Sequence, residues 1–288
     1  MSEICVISTI FPANAPYFED FFLAYAAQTR RDFDLVLFDD GGSEVDIAAW
    51  RSRFRKIEVV PVPPGKTPAE VRAFLTAWVV ASDYTYVLFA DSDDTCTPNR
   101  VEDAVAQLEE EAFVFHDMNL IDAEHELLAP AYWRERLRPG ETIARPFLER
   151  KNVLGFGNTS VRRSALFPVD IPAGLRAADW FYFSVVLGDR KARFTTKSLV
   201  NYRQHPRNLS GLGPLTPARL HYLCEVKGEH YRHLAKREPA FLPLYEENAA
   251  FLERLRRDGG VAARYVSAWN ARKIHDFWWE TEFPEGTP

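Results

Sequence analysis

The chain has 288 residues, 47% of them hydrophobic and 26% charged, with a formal net charge of -6. That length and apolar content suffice for one large α/β core, or a core with an appendage. Lysine and arginine are dispersed along the chain, which argues against a dedicated nucleic-acid surface, because phosphate binding needs a concentrated basic face. The three cysteines, Cys5, Cys96 and Cys224, lie far apart and form neither a zinc pattern nor a disulfide framework, as suits a reducing compartment. Met1-Ser2-Glu3 runs straight into an apolar segment, without the basic stretch and apolar run of a signal peptide. No apolar stretch approaches membrane-spanning length, so the expectation is a cytoplasmic protein.

The run from Ile4 to Ile10 is apolar almost throughout and predicts a fully buried strand. After a turn at Phe11–Pro16, the spacing of Phe18, Phe21, Phe22 and Tyr25 predicts a helix over Tyr17–Gln28. Phe33–Phe38 predicts a second strand, ending in Asp39-Asp40-Gly41-Gly42. Ser43 then reads as the N-cap of a helix reaching Phe54. Ile57–Val62 predicts a third strand and Thr67–Ala81 a helix opened by Thr67-Pro68. The fourth strand, Tyr84–Ala90, runs into Asp91-Ser92-Asp93-Asp94. A helix carrying Val101, Ala104, Val105 and Leu108 and a strand over Ala112–Leu120 follow. Such alternation indicates a mainly parallel, doubly wound sheet.

Further on, Glu141–Arg150 reads as helical and Asn152–Ser164 as a polar bend containing Gly155, Gly157 and Asn158. Ala177–Leu187 predicts a helix, and Arg193–Tyr202 a strand that ends in Arg203-Gln204-His205. Beyond Gly211-Leu212-Gly213 the pattern turns helical: one helix opened by Thr216-Pro217, one by Glu238-Pro239, and one from Val261 to about Trp279.

Four polar clusters fall at the ends of these elements. Asp39-Asp40 can accept from a nucleobase N–H or a ribose hydroxyl, or form an Asx turn into Gly41. Asp91, Asp93 and Asp94 repel one another unless a cation intervenes, and hard divalent cations prefer such oxygen ligands; a solvated Asp-rich turn is the alternative. Asp179 lies beside the large ring of Trp180, where partial desolvation raises a carboxylate toward the range of a general base, or it serves the dipole of its helix. Arg203, His205 and Asn208 form the fourth cluster, suited to a metal or a phosphate, although a lone histidine is more often a packed or surface residue.

In order and spacing these segments resemble the family 2 glycosyltransferases of the GT-A fold, from Ile4 to about Gly211. Gln28-Thr29 and Asp32–Gly42 match the family's first acidic segment. Gly65, Arg72 and Ala77 match the next, with Ala73 where the family carries asparagine. Tyr86–Val101 matches the Asp-rich segment, and Tyr202–Gly211 the closing Tyr-Arg-Gln-His segment. Ala178-Asp179 stands where the family has Glu-Asp, so the glutamate is missing.

The resemblance implies a GT-A glycosyltransferase domain over residues 1–213 and a C-terminal helical extension over 214–288. It implies that Thr9, Asp40 and Arg72 hold the base of a nucleotide sugar, usually a UDP-sugar, and that Asp91 contacts ribose. Asp93, with Asp94 and His205, would bind Mg²⁺ or Mn²⁺ at the diphosphate. Asp179 would deprotonate the hydroxyl of a glycan or lipid-linked acceptor, with inversion at the anomeric carbon. Two other readings remain at this point. The segment Val87–Thr95 also fits haloacid-dehalogenase-like phosphatases, with Asp91 as nucleophile and Asp93 as acid/base. A non-catalytic nucleotide-sugar binder is the other. Trp269, Phe277, Trp278 and Trp279, with Arg272 and Lys273, either touch a membrane at its inner face or pack on the main domain.

Overall fold

In the computed structural model, which describes residues 2–43, 45–205, 208 and 214–271, the most apolar runs become the central strands. In chain order the first half contains β1 (Ile4–Ile10), α1 (Phe18–Ala26), β2 (Phe33–Asp39), α2 (Ile47–Trp50), β3 (Lys56–Pro61), α3 (Pro68–Ala81), β4 (Tyr86–Asp91), β5 (Thr95–Cys96), α4 (Arg100–Leu108) and β6 (Phe113–Ile121). There follow β7 (Leu127–Ala129), β8 (Thr142–Ala144), α5 (Arg145–Arg150), β9 (Thr159–Arg162), α6 (Ala178–Leu187), β10 (Lys191–Arg203), α7 (Pro217–Arg237), α8 (Leu242–Arg257) and α9 (Gly259–Asn270).

The strands form one sheet in the order β3-β2-β1-β4-β9-β6-β10-β5, with β7 added to β6 and β8 to β10. β1 pairs in parallel with both β2 and β4. β9 runs antiparallel to both β4 and β6, so β6 and its parallel partner β10 share the direction of the first four strands. The sheet is therefore mixed but mainly parallel, as expected. The chain builds outward from β1 through β2 to β3, then crosses back to lay β4 on the other side of β1. That reversal opens a crevice beyond the carboxyl ends of β1 and β4, the usual place for a ligand in an open α/β sheet.

Alternation along the central strands assigns the two cores. Val6, Leu35 and Leu88 face α1 and α4 through Phe18, Phe21, Phe22, Val101 and Val105. Ile7, Val36 and Phe89 face α3 and α6 through Val71, Leu75, Phe181 and Phe183. Helix α3 opens on a capping box. Thr67 Oγ1 accepts from the Glu70 N–H and the Glu70 carboxylate accepts from the Thr67 N–H, while Pro68 occupies the first turn. Thr67 Oγ1 also donates to the Ala173 carbonyl, tying the start of α3 to the approach to α6.

Three local readings need correction. Ser43 does not cap a helix: it donates to Asp39, and Asp46 caps the short α2 by accepting from the Ala48 and Ala49 N–H groups. Glu141–Arg150 is not one helix. Thr142–Ala144 pairs with β10 as β8, and α5 starts only at Arg145, where Pro146 suits a first turn. The bend at Asn152–Ser164 contains β9, whose backbone groups find partners on both sides; a short strand buried on both faces has no alternation to betray it.

The C-terminal helices serve two clusters. Val226, Tyr231 and Leu234 of α7 join the main core, whereas Leu220, Leu223 and Cys224 pack with Phe251, Leu255 and Ala262 of α8 and α9. Trp269 joins that second cluster. Arg272, Lys273, Phe277, Trp278 and Trp279 lie outside the described residues. No helix among the described residues is long and apolar enough to cross a membrane.

Thr67→Ala removes the cap of α3 and its tether to Ala173. Thermal or denaturant unfolding should register a loss of about 1 kcal/mol.

Candidate active site

The crevice between β1 and β4 is closed by one arginine. Thr9 and Asp91 are register partners at the ends of these strands. Arg72, projecting from α3, reaches both: Nη1 donates to Thr9 Oγ1 at 3.2 Å and Nη2 to Asp91 Oδ1 at 2.8 Å. Its guanidinium also lies 4.7 Å from the centroid of the Phe156 ring.

From Asp91 the chain turns tightly, with the Asp94 N–H donating to the Asp91 carbonyl at 3.2 Å. Asp94 points inward. Its Oδ1 accepts from the backbone N–H of Arg203 at 2.8 Å, and its Oδ2 is buried without a hydrogen-bond partner. Burial pushes the Asp94 carboxyl well above the usual carboxylate range, and the charges of Asp93 and Asp91 add to the effect. Asp93 is raised for the same reasons, burial first and Asp91 second, against which the hydrogen bond to His205 works. His205 Nε2 lies 3.0 Å from Asp93 Oδ2, and its ring stacks on Tyr17 at a centroid distance of 4.9 Å.

A divalent cation fits these residues on chemical grounds. The orphaned Asp94 Oδ2 and the mutual repulsion of three carboxylates are deficits that a hard cation removes. No group of three or more His, Cys, Asp or Glu side chains that could hold a metal ion is already gathered among the described residues.

Two buried arginines fix this turn from behind. Arg203 Nε donates to the Asp93 carbonyl at 2.7 Å, Nη1 to the Ala123 carbonyl at 2.8 Å and Nη2 to Asp20 at 3.0 Å. Arg100 donates through Nη2 to the carbonyls of Phe89 and Gly157, at 2.7 and 2.8 Å. The second of these bonds pins the loop ahead of β9 against the acidic turn. At Gly157 the approach is so close that a Cβ would lie 2.8 Å from Asp91 Oδ2 and 3.2 Å from Asp94 Oδ2. Asn158 holds the same loop by accepting from the Gly155 N–H at 2.9 Å.

Asp179 enters from the other side, in the first turn of α6. Its Oδ1 accepts from the Trp180 N–H at 2.7 Å. Burial raises its carboxyl above the usual range; the Trp180 hydrogen bond and the Arg72 charge pull the other way. Arg72, Asp91, Asp94 and Asp179 line one cavity of about 240 Å³, with Trp133, Phe156, Trp180 and Tyr202 among its other walls.

The structure thus brings four of the eight expected site residues into one cavity. Thr9 and Asp93 stand one step away, through Arg72 and through the acidic turn, and His205 one step further, on Asp93; none of the three lines it. Asp40 lies half-buried beyond β2 on the same sheet edge, its N–H donating to the Ile10 carbonyl at 2.9 Å. Burial, then the charge of Asp39, raises its carboxyl. Sequence reasoning missed the two buried arginines as supports, and it missed Phe156 and Trp133 as walls. The glycine pair flanking Phe156 was the one local signal.

The family model described as glycosyl transferase family 2 matches residues 5–167. Among solved structures, S. aureus TarS 1-349 in complex with UDP-GlcNAc aligns with a TM-score of 0.60 and 15% identity, over 86% of this chain and 72% of that one. Mannosyltransferase PcManGT from Pyrobaculum calidifontis, in complex with GDP-Man and Mn²⁺, aligns with a TM-score of 0.60 and 16% identity, over 92% and 73%. In a longer S. aureus TarS structure the chain spans 43% of the length, again with a TM-score of 0.60, at 14% identity over 86% of this chain. These likenesses show a shared fold. No curated protein sequence matches the chain.

Gly157→Ala puts a methyl group against the Asp91 and Asp94 carboxylates. Calorimetric titration with Mn²⁺ should show a large loss of binding relative to the unaltered protein, and unchanged binding would mean that the loop yields freely.

Proposed function

The chain belongs to glycosyl transferase family 2 and is a glycosyltransferase, and from that premise we propose an inverting transfer in which Asp179 acts as general base. The observation that carries the reading is the shared cavity: a carboxylate raised by burial, Asp179, faces the acidic turn at the end of β4. A base must shed its proton before it can accept one, and a raised carboxyl holds a proton more strongly once transferred.

In this reading the donor is a nucleotide sugar, in keeping with the UDP-GlcNAc and GDP-Man present in the neighbouring structures. A UDP-sugar is proposed. Thr9, Asp40 and Arg72 hold the base, and Asp91 receives the ribose hydroxyls. Asp93, Asp94 and His205 would hold Mg²⁺ or Mn²⁺. Bound there, the cation supplies neutralisation of the negative charge that develops on the leaving diphosphate. Asp179 takes the proton of the acceptor hydroxyl while that oxygen bonds to the anomeric carbon from the side opposite the leaving group. The bond from that carbon to the diphosphate oxygen breaks, and configuration inverts. Phe156, Trp133, Trp180 and Tyr202 exclude water and offer rings against which a sugar packs.

The missing glutamate has a partial answer. Ala178 leaves the position before the base without a carboxylate, and the Trp180 N–H orients Asp179 instead. Residues 1–213 would form the transferase domain and 214–288 its helical extension, and the acceptor would be a glycan or lipid-linked hydroxyl. The phosphatase reading of Asp91 and Asp93 gives way to the family assignment.

Asp179→Asn should lower kcat for transfer or donor hydrolysis by about 10²–10⁴-fold, with Mn²⁺-dependent binding of UDP retained. Retention of most of the rate would remove the base assignment. In the unaltered enzyme kcat should rise with pH as Asp179 ionises, along an acid limb displaced above the ordinary carboxylate range. Asp93→Asn should abolish the gain in UDP affinity that Mn²⁺ provides, measured by titration with and without the metal.

A further inference from the structure

Helix α7, like Asp179 itself, lies beyond the segment matched by the family model, and it grips the chain on both sides of Asp179. Three residues before Asp179, Arg176 is held in a bidentate ion pair by Glu229, at 2.9 and 3.2 Å, and its guanidinium lies 4.7 Å from the Tyr222 ring centroid. One residue after Asp179, the Trp180 indole stacks on His230 with centroids 4.1 Å apart and planes 23° apart. Tyr231 meets the same indole edge-on at 5.9 Å, and the Lys227 ammonium lies 5.6 Å from its centroid. Trp180 Nε1 donates to the Leu148 carbonyl of α5 at 2.6 Å, which fixes the ring's rotation.

His230 is fully buried, and neither ring nitrogen has a hydrogen-bond partner among the described residues. Burying an unpartnered polar ring costs stability, so stability alone gives no reason for this histidine over an apolar ring. Its identified contacts are aromatic: the stack on Trp180 and an edge contact with Tyr231. Lys227, His230 and Tyr231 share one helical face, and Tyr222 and Glu229, seven residues apart, share another. One helix therefore sets both flanks of a segment five residues long.

We propose that α7 is a positioning element for the catalytic carboxylate, acting through the His230–Trp180 stack and the Glu229–Arg176 ion pair. The proposal rests on the reading of Asp179 as general base. Asp179 Oδ1 accepts from the backbone N–H of Trp180, the residue whose indole α7 holds, so a displacement of Trp180 that carries its backbone moves the hydrogen bond that aims the base. Misplacement of a base by a fraction of an ångström weakens proton transfer without touching the nucleotide. The helices beyond the family match then form part of the catalytic apparatus.

The test uses the full chain and the sugar nucleotide that it hydrolyses fastest from a panel of UDP- and GDP-sugars, with Mn²⁺. His230→Ala should lower kcat about tenfold or more, with the donor KM and Mn²⁺-dependent UDP affinity unchanged. His230→Phe, which keeps a flat ring on Trp180, should restore most of kcat. Glu229→Ala, at a partly exposed ion pair of the kind that contributes little to stability, should lower kcat less and again spare KM. Unchanged kcat in both alanine variants overturns the proposal. So does a fall in UDP affinity in step with kcat, or a phenylalanine variant as impaired as the alanine one. If His230→Ala does not fold, Glu229→Ala decides. Asp179→Asn, assayed alongside, separates the two readings: a retained rate removes the base itself, whereas an inactive Asp179→Asn with normal alanine variants removes only the role of α7.

Discussion

Everything in the crevice depends on holding Asp91, Asp93 and Asp94 together at the end of one strand. Left alone, carboxylates this close separate or take up protons. Here three arginines from distant parts of the chain surround them. Arg72 binds Asp91 from in front. Arg203 fixes the turn through the Asp93 carbonyl and the Asp94 carboxylate, the latter by its backbone N–H. Arg100 sits below, joined to the carbonyls of Phe89 and Gly157. The arrangement leaves a residual deficit, seen in the unpartnered Asp94 Oδ2 and in the raised carboxyls of Asp93 and Asp94. A hard divalent cation placed there would offset that deficit.

The sheet topology makes the arrangement reachable. Reversal of strand order at β1 leaves the Thr9–Asp91 edge uncovered by a crossover, and Arg72 descends onto it from α3. Insertion of the antiparallel β9 between β4 and β6 brings the Gly155–Asn158 loop over the acidic turn. That loop supplies one wall of the cavity and, through Phe156, a surface for the Arg72 guanidinium. The segment opening α6 supplies the opposite wall, with Asp179. The acidic turn and Asp179 are thus carried by different parts of the fold and meet at one cavity.

The two sets of carboxylates differ in surroundings more than in chemistry. Those at the end of β4 are crowded by like charge, and Asp93 and Asp94 are buried as well. Asp179 is raised chiefly by burial among aromatic rings, and Asp91 contributes less. Crowded acids call for a cation; an acid kept apart in an apolar setting suits proton transfer. One residue type thus stands in two chemically different settings around the same cavity.

The sequence by itself determined the central strands, because Ile4–Ile10, Phe33–Phe38 and Tyr84–Ala90 are apolar runs with no stable alternative to burial. It also determined that acidic residues would collect at one edge, since Asp39-Asp40 and Asp91–Asp94 each end a strand of the same direction. Family motifs added Arg72, Asp179 and His205 by position. What tertiary structure decided was the company these residues keep. Nothing local announces that Arg100 and Arg203 are buried supports, for arginine in a sequence usually means a wet surface, and burial is a property of the assembled neighbours. Nor does local pattern reveal β9, whose Thr159-Ser160-Val161 is held by partners on two sides, or the stacking of His230 of α7 on Trp180, fifty residues away. Short-range periodicity reports which face a side chain seeks; only closure of the fold reports what it meets there.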